Sequence, residues 1–360
     1  MGNNLNIIYD NIVFSLQKAG GISIYWAELI TRMITINSEI KFFEHKNQNI
    51  FRKKLIFNSS RENLLSIKFL RYLPFMKKLP AKSIFHSSYY RLSLQKNIVN
   101  IVTVHDFTYE YYRHGLAKTV HVLQKNMAIK KADGVICVSK NTKKDLLKFL
   151  PAFDESKITV IYNGVSASFK PISTPLIEKY KALRFKKYIL YIGDRSSYKN
   201  FETAVETVSK LNNYYLVFIG GGQLGSKDNN YLSLHLKHRY SHYLGIDEKE
   251  LNSLYNHAFC LLYPSSYEGF GIPIVEAMRA GCPVVSTDIS SIPEVAGNAA
   301  ILVKNITTEE FITSIQKLEN KNFRDDLIAK GFKQASKFSW EKCFHETFSF
   351  YQETYQRKFK

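Results

Sequence analysis

Acidic residues are scarce in this chain. Its 360 residues hold 50 Lys and Arg against 31 Asp and Glu, a formal net charge of +19. Such an imbalance calls for an anionic partner: nucleic acid, nucleotide, phospholipid surface or acidic glycan. No Asp-x-Asp pair occurs, so nothing points to a diphosphate bridged to the protein by a metal ion. Cysteine is sparse too, at four residues. Cys137 and Cys260 sit in apolar, strand-like runs and no pair has metal-ligand spacing, so reduced, buried thiols in a cytosolic protein are expected. No apolar run reaches membrane-spanning length. The opening Met-Gly-Asn-Asn-Leu-Asn-Ile-Ile has no basic residue ahead of its apolar ones, so no secretory leader is expected. No long internal repeat or low-complexity tract stands out.

What is present is a chain of globular composition, 45% hydrophobic and long enough for two full cores. Its charge is uneven. Lys41 to Lys82 is dense in Lys and Arg, against only Glu44 and Glu62. Within it, Leu64 to Lys78 mixes apolar, aromatic and basic residues. That composition fits an interfacial segment on anionic lipid, or else a core helix with a solvated basic face.

Strands and helices alternate along the chain. Leu5 to Tyr9 reads as a first strand, and Gly20-Gly21 opens an apolar helix running to about Ile36. Such a glycine turn allows a ligand close to the backbone. Ile98 to Val104 reads as a strand that ends in His105-Asp106-Phe107. A histidine at the carboxyl end of a strand in an α/β sheet faces the ligand crevice. Tyr109 to Arg113 can stack on a sugar and hold an anion, or simply pack as a loop. Lys118 to Ala132 reads as a helix, Gly134 to Val138 as a strand with Ser139 capping the next helix, and Ile158 to Tyr162 as another strand. Pro171 to Pro175 has the composition of an interdomain linker. The pattern then restarts: strand Tyr188 to Ile192, Gly193, and Arg195 and Lys199 beside a helix start, where two cations suit a diphosphate. Tyr215 to Ile219 runs into Gly220-Gly221-Gly222, a weak nucleotide-binding sign.

The most informative stretch is Tyr263 to Asp288. Ala258 to Tyr263 reads as a buried strand, Pro273 as the first turn of a helix and Gly281 as its stop, with Cys282 to Ser286 the next strand. Gly269 and Gly271 leave backbone N–H groups open to a ligand, and the helix start adds donors and a positive dipole end. Glu276, read as a first-turn acid, can accept both hydroxyls of a ribose. Glu268, on the loop, can reach another part of the same ligand.

Glu268-Gly-Phe-Gly-Ile-Pro-Ile-Val-Glu276 resembles the E-x7-E signature of retaining glycosyltransferases of family 4. The likeness runs through about residues 187 to 345 and includes Arg195-Ser-Ser-Tyr-Lys199-Asn-Phe, Tyr243 to Leu251 and Ser290 to Gly297. The Arg195 form resembles a subgroup rich in bacterial polysaccharide mannosyltransferases. The resemblance implies an α/β, GT-B fold of two Rossmann-like domains facing a central cleft, residues 1–170 for the acceptor and 171–340 for the nucleotide sugar, with a helix over 341–360 packing back on the first. It implies a donor site of Gly21, Gly193, Arg195, Lys199, Glu268, Gly269, Phe270, Gly271, Ile272 and Glu276, with His105, Arg195, Lys199 and Glu268 at the chemistry. The reaction implied is hexose transfer, from GDP-mannose or a related GDP-sugar, to a glycan acceptor that is itself lipid-linked. No cofactor and no metal are expected. The partners expected are the donor, the acceptor and the anionic cytoplasmic face of an inner membrane, with no nucleic acid. The alternatives are a UDP-sugar donor, a catalytically silent scaffold, and a nucleic-acid binder on charge alone, which lacks any recognised module.

Overall fold

The computed structural model describes residues 5–36, 39–62 and 65–360. Residues 1–4, at which the reading of a leader begins, and Leu64, the first residue of the basic-aromatic stretch, lie outside them.

The chain forms two compact units, Met1–Gly164 with Trp340–Lys360, and Val165–Ser339. The first holds β1 (Ile7–Asp10), β2 (Ile40–Phe43), β3 (Ser59–Ser60), β4 (Ser83–Ser87), β5 (Ile98–Val104), β6 (Gly134–Cys137) and β7 (Ile158–Val160), in the order β3-β2-β1-β4-β5-β6-β7. The second holds β8 (Tyr188–Ile192), β9 (Tyr215–Ile219), β10 (Tyr240–Tyr243), β11 (Cys260–Tyr263), β12 (Val284–Thr287) and β13 (Ile301–Val303), in the order β10-β9-β8-β11-β12-β13. Every pairing is parallel. Both sheets are thus doubly wound, Rossmann-like domains. Their strand order reverses between β1 and β4 and between β8 and β11, and ligands bind at the carboxyl ends of strands beside such a reversal.

Near-continuous apolar runs make these strands, because parallel sheets are covered on both faces. β1, β4, β5, β8 and β11 are buried almost throughout. The first core joins Ile7, Tyr9, Ile84 and Ile101 to Tyr25 and Trp26 of the helix Gly21–Ile36 and to Phe344, Phe350 and Tyr351 of the last helix, Trp340–Phe359. That last helix is anchored by polar contacts as well. The Tyr351 hydroxyl lies 2.5 Å from His86 Nδ1 and 3.2 Å from the Tyr9 hydroxyl. Gly134 in β6 leaves room for it, since a Cβ there would stand 2.8 Å from the Phe350 ring. All four cysteines are free and buried.

Three local expectations change. The division falls after Gly164 rather than in Pro171 to Pro175. Residues 165–171 already pack on the second unit: Ser166 bonds Glu248, Phe169 lies edge-on to Tyr255, and Arg279 Nε donates to the Phe169 carbonyl. The basic-aromatic stretch forms no long helix. Within residues 65–78 the one helical segment is Ile67–Leu70, and Pro74 stops any extension. Glu276 stands one turn inside its helix, Ile272–Ala280, not in the first turn. There its carboxyl is buried instead of capping free N–H groups.

Candidate functional site

In the second domain two loops at the carboxyl ends of adjacent strands are sewn together. The loop after β8 ends in a 3-10 turn, Ser197–Lys199, and then Asn200 in a left-handed conformation leads into the helix Phe201–Ser209. Asn200 Nδ2 donates to the Pro264 carbonyl at 2.8 Å and the Ser266 hydroxyl at 2.7 Å, and Ser266 N donates to the Tyr198 carbonyl at 2.7 Å. The loop after β11 is fastened on its other side by two serines. Ser290 and Ser291 hydroxyls donate to the Glu268 carbonyl at 2.6 and 2.9 Å, and Ser291 also reaches the Phe270 carbonyl. Gly271, at φ 97°, then turns the chain into its helix, a conformation that L residues avoid.

These fastenings bring Lys199 and Glu268 into direct contact. Lys199 Nζ lies 2.5 Å from Glu268 Oε1 and 3.2 Å from the Tyr263 hydroxyl, and both charged side chains are mostly shielded from water. Burial is the largest single influence and disfavours the ammonium, but the Glu268 carboxylate together with Tyr263 and Tyr198 outweighs it, so the Lys199 pKa lies well above the ordinary lysine range. The pair is a charged donor and a charged acceptor on a ready-made rim.

Arg195 is placed differently. It reaches across to the segment after β9, where Nη2 donates to the Gln223 carbonyl of the loop at 3.0 Å and Nε lies 3.3 Å from Asp228 in the first turn of the helix Ser226–Leu236. The triple glycine makes that reach feasible. A Cβ on Gly221 would come within 2.6 Å of Arg195 Nη1, and one on Gly220 within 3.0 Å of the Gly193 carbonyl. The glycines therefore let the two loops lie against each other, whatever ligand they also admit.

Glu276 is buried, and the Tyr255 hydroxyl donates to its Oε2 at 3.0 Å. Burial pushes its pKa up to about 7. Phe270 turns its ring into the core against Phe338, so only its backbone faces the loop. Gly193, Gly269 and Ile272 lie on the same loops or at the helix start.

His105 and Gly21 belong to the first domain. His105 follows β5 and lies edge-on to Tyr25 at 5.0 Å. Burial pushes its pKa down to about 4, partly offset by Asp106, so the ring is neutral at pH 7. It lines a cavity of about 240 Å³ together with Gln17 and Ile22, which flank the Gly20-Gly21 turn, and with Arg71, Tyr109 and His121. Gly21 itself is the exposed first residue of its helix. Tyr109 stacks on His121 at 3.8 Å, whereas Glu110 turns inward to pair with the buried Lys125 at 2.6 Å. The Tyr109–Arg113 stretch thus divides between lining and packing.

Sequence reasoning missed Tyr255, Tyr263 and Asn200, and it counted Arg71 only as one charge of the basic stretch. Nothing in the spacing of the first three marks them, because each acts through a partner distant in sequence. Ser290-Ser291 stood inside a matching segment, but their task of bonding loop carbonyls emerges only from the fold. Among the described residues no group of three or more His, Cys, Asp or Glu side chains is placed to hold a metal ion, and no helix is long and apolar enough to cross a membrane.

Residues 175–334 match the family Glycosyl transferases group 1, and residues 19–169 match Glycosyltransferase Family 4. The chain is 29% identical to O-antigen chain mannosyltransferase B of Escherichia coli over 64% of this chain and 64% of that protein. It is 28% identical to O-antigen chain mannosyltransferase RfbU of Salmonella typhimurium over 67% of this chain and 66% of that one. The matches thus span just under two thirds of each of these relatives. In fold it is similar to a sucrose-phosphate synthase from Thermosynechococcus elongatus, with a TM-score of 0.78 at 17% identity, covering 98% of this chain and 100% of that one.

Proposed function

We propose that this chain, a glycosyltransferase of the GT-B fold related to the bacterial O-antigen mannosyltransferases, moves a hexose from a nucleoside diphosphate sugar to a lipid-linked glycan in surface polysaccharide synthesis. The single observation that carries the reading is the juxtaposition of Lys199, Glu268 and the glycine-led helix start at the ends of β8 and β11, with the buried acid Glu276 one turn inside that helix. The names of the mannosyltransferase relatives support mannose as the hexose, and we take GDP-mannose or a related GDP-sugar as the donor.

In this reading Lys199 and Arg195 meet the diphosphate, and the helix dipole adds to their field. Charge builds on the diphosphate as the sugar leaves, so these groups act more strongly on the transition state than on bound donor. That electrostatic work needs no metal ion. An incoming phosphate shares Lys199 with Glu268, which frees the carboxylate for sugar hydroxyls beside the backbone N–H groups of Phe270 and Gly271. Glu268 is not assigned as a covalent nucleophile. Retention follows from reaction on one face, with the leaving phosphate helping to take the acceptor proton. His105 lies at the acceptor or sugar. The enzyme works on the anionic cytoplasmic face of an inner membrane.

Incubation with a panel of GDP- and UDP-sugars tests the reading. Binding to the native state raises the melting temperature, and transfer or slow hydrolysis releases the nucleoside diphosphate. A GDP-sugar should do both, in EDTA as well as without it. Release that depends strictly on added Mg²⁺ or Mn²⁺ would overturn the metal-free mechanism. Silence with every nucleotide sugar would favour a scaffold.

Glu276 makes a second prediction. A ribose hydroxyl pair donates best to the ionised carboxylate, so donor affinity should rise as pH climbs through about 7. Stability runs the other way. The folded carboxyl holds its proton more tightly than the unfolded chain does, so stability is highest below the unfolded pKa, near 4.5, and falls as pH rises to about 7. Ionising the buried group costs on the order of 3 kcal/mol. Glu276→Gln should therefore raise the melting temperature at pH 8 and leave it nearly unchanged at pH 4.5, while weakening donor binding roughly tenfold at pH 8. Unchanged donor affinity would remove the ribose role.

A further inference from the structure

Two openings adjoin in the first domain. One is an apolar groove of about 290 Å³ walled by Tyr72, Leu73, Leu94, Val120 and Met127. The other is the cavity of about 240 Å³ that holds His105, Asp106 and His121. Tyr90 lines both. Arg71 stands at the divide. Its side chain lines the polar cavity, the next two residues wall the groove, and its carbonyl accepts from Gln124 on the groove's far side.

The surface around the groove is apolar and cationic. On the helix Gly115–Lys131, Leu116, Val120, Leu123 and Met127 recur at three- and four-residue steps and so share one face. All four are exposed, Leu116 at 85%, while His121, Lys125, Ala128 and Ile129 are buried on the other face. Phe69, 72% exposed, and Met76, also exposed, lie in the stretch that supplies Tyr72 and Leu73 to the groove. Neither residues 65–78 nor residues 115–131 contain an Asp or a Glu, whereas the same two stretches hold Lys68, Lys77, Lys78, Lys130 and Lys131, the last of which lines the groove. An exposed apolar face on stretches that carry cations and no acids is complementary to an anionic lipid.

Arg71 adds a specific feature. Its guanidinium contacts the Tyr72 hydroxyl and lies 4.5 Å from the Tyr72 ring centre and 5.9 Å from that of Tyr89. It makes no ion pair among the described residues, and its buried Nε has no hydrogen-bond partner. A buried donor left open beside a cavity is the place for an acceptor oxygen that arrives with a ligand. By contrast, Arg52 in the same basic stretch is taken up by Glu44 at 2.6 Å and by the Phe57 ring.

We infer that the first domain holds its acceptor as a lipid phosphate: the hydrocarbon chain lies in the groove, the phosphate joining chain to sugar sits at Arg71, and the sugar enters the cavity beside His105. The order apolar, cation, polar along the surface repeats the order chain, phosphate, sugar along such a molecule. Arg supplies a planar fork that matches phosphate oxygens. This inference rests on the reading above that the acceptor is lipid-linked.

Flotation tests it with the full chain and two kinds of phosphatidylcholine vesicle matched for surface charge, one doped with an isoprenyl phosphate and one with phosphatidylglycerol. The wild type should bind the isoprenyl phosphate vesicles roughly tenfold more tightly, as a directed guanidinium–phosphate contact adds to general charge. Arg71→Gln should bring the two affinities together. Val120→Glu with Met127→Glu should lower both, and Lys53→Ser with Lys54→Ser should keep the preference. Melting temperature and GDP-sugar binding, measured on the same samples, should not change in any variant. Equal wild-type binding to the two vesicles would overturn the phosphate site and leave only a charged docking face. Full binding by the Val120→Glu, Met127→Glu protein would remove the groove. A wild type that is dimeric, dissociates in that variant and ignores vesicles would assign the face to a second copy. Loss of GDP-sugar binding in the wild type would instead reject the donor reading, a separate result.

Discussion

Replacing Lys199 by Ala should lower turnover by about 10² to 10³ while changing donor affinity much less. Removing one preorganised group that faces charge developing in a transition state typically has an effect of this size. Lys199 is suited to that task because it is held on three sides: its backbone closes a 3-10 turn, its Nζ touches the Tyr263 hydroxyl, and it pairs with Glu268. Arg195→Ala should act in the same direction. It also releases Asp228 and Gln223, so its melting temperature must be measured beside its rate. The contrast that decides the matter is with Glu276→Gln, whose main loss should appear in donor affinity. If Lys199→Ala instead raises KM for the donor and leaves kcat unchanged, the ammonium serves ground-state binding and not departure of the diphosphate.

Arg91→Ala should destabilise the first domain by about 3–5 kcal/mol, the usual consequence of stripping one partner from a buried ion pair. Arg91 is fully buried and bridges Asp10 at 2.8 Å and Glu62 at 2.7 Å, with Nε donating to the Leu73 carbonyl. Asp10 ends β1 and Glu62 receives the Met76 amide, so this one guanidinium ties the basic-aromatic stretch to the sheet. Burial already holds the Asp10 pKa above its ordinary range, even with Arg91 beside it. Without Arg91 both carboxylates are uncompensated, and uptake of a proton relieves part of the cost. The loss should therefore be largest at pH 8 and shrink toward pH 5, as read from the urea midpoint of the first domain. A stability from that midpoint within about 1 kcal/mol of the wild type at both pH values would mean that water reaches the site and solvates the acids.

Chain order and local chemistry were legible before any coordinates. Ile98–Val104, Tyr188–Ile192 and Tyr215–Ile219 stand where apolar runs bounded by turn residues put them. Ser139 caps its helix through the Thr142 amide, as its position before a polar helical run implied. Gly281 stops the helix Ile272–Ala280 in a left-handed conformation, since a residue without Cβ takes that cap at least cost. Such features depend on neighbours in sequence, so sequence carries them. Strand and helix alternation that restarts at Tyr188 was legible in the same way, and the resemblance to family 4 implied the two Rossmann-like halves.

Tertiary structure decided everything that depends on a distant partner. Lys199 and Glu268 are separated by 69 residues, and only the adjacency of β8 and β11 makes them a pair. Glu276 looked like a capping acid, yet one turn of helix moves it from solvent into a buried contact with Tyr255, and that desolvation changes its proton affinity. The basic stretch looked uniform. In the fold Arg52 turns to Glu44, while Arg71 has no carboxylate partner among the described residues and lines a cavity. Charge composition is a local count, but the state of a charge is set by its burial and by the groups facing it. Those are properties of packing, which no stretch of the chain contains by itself.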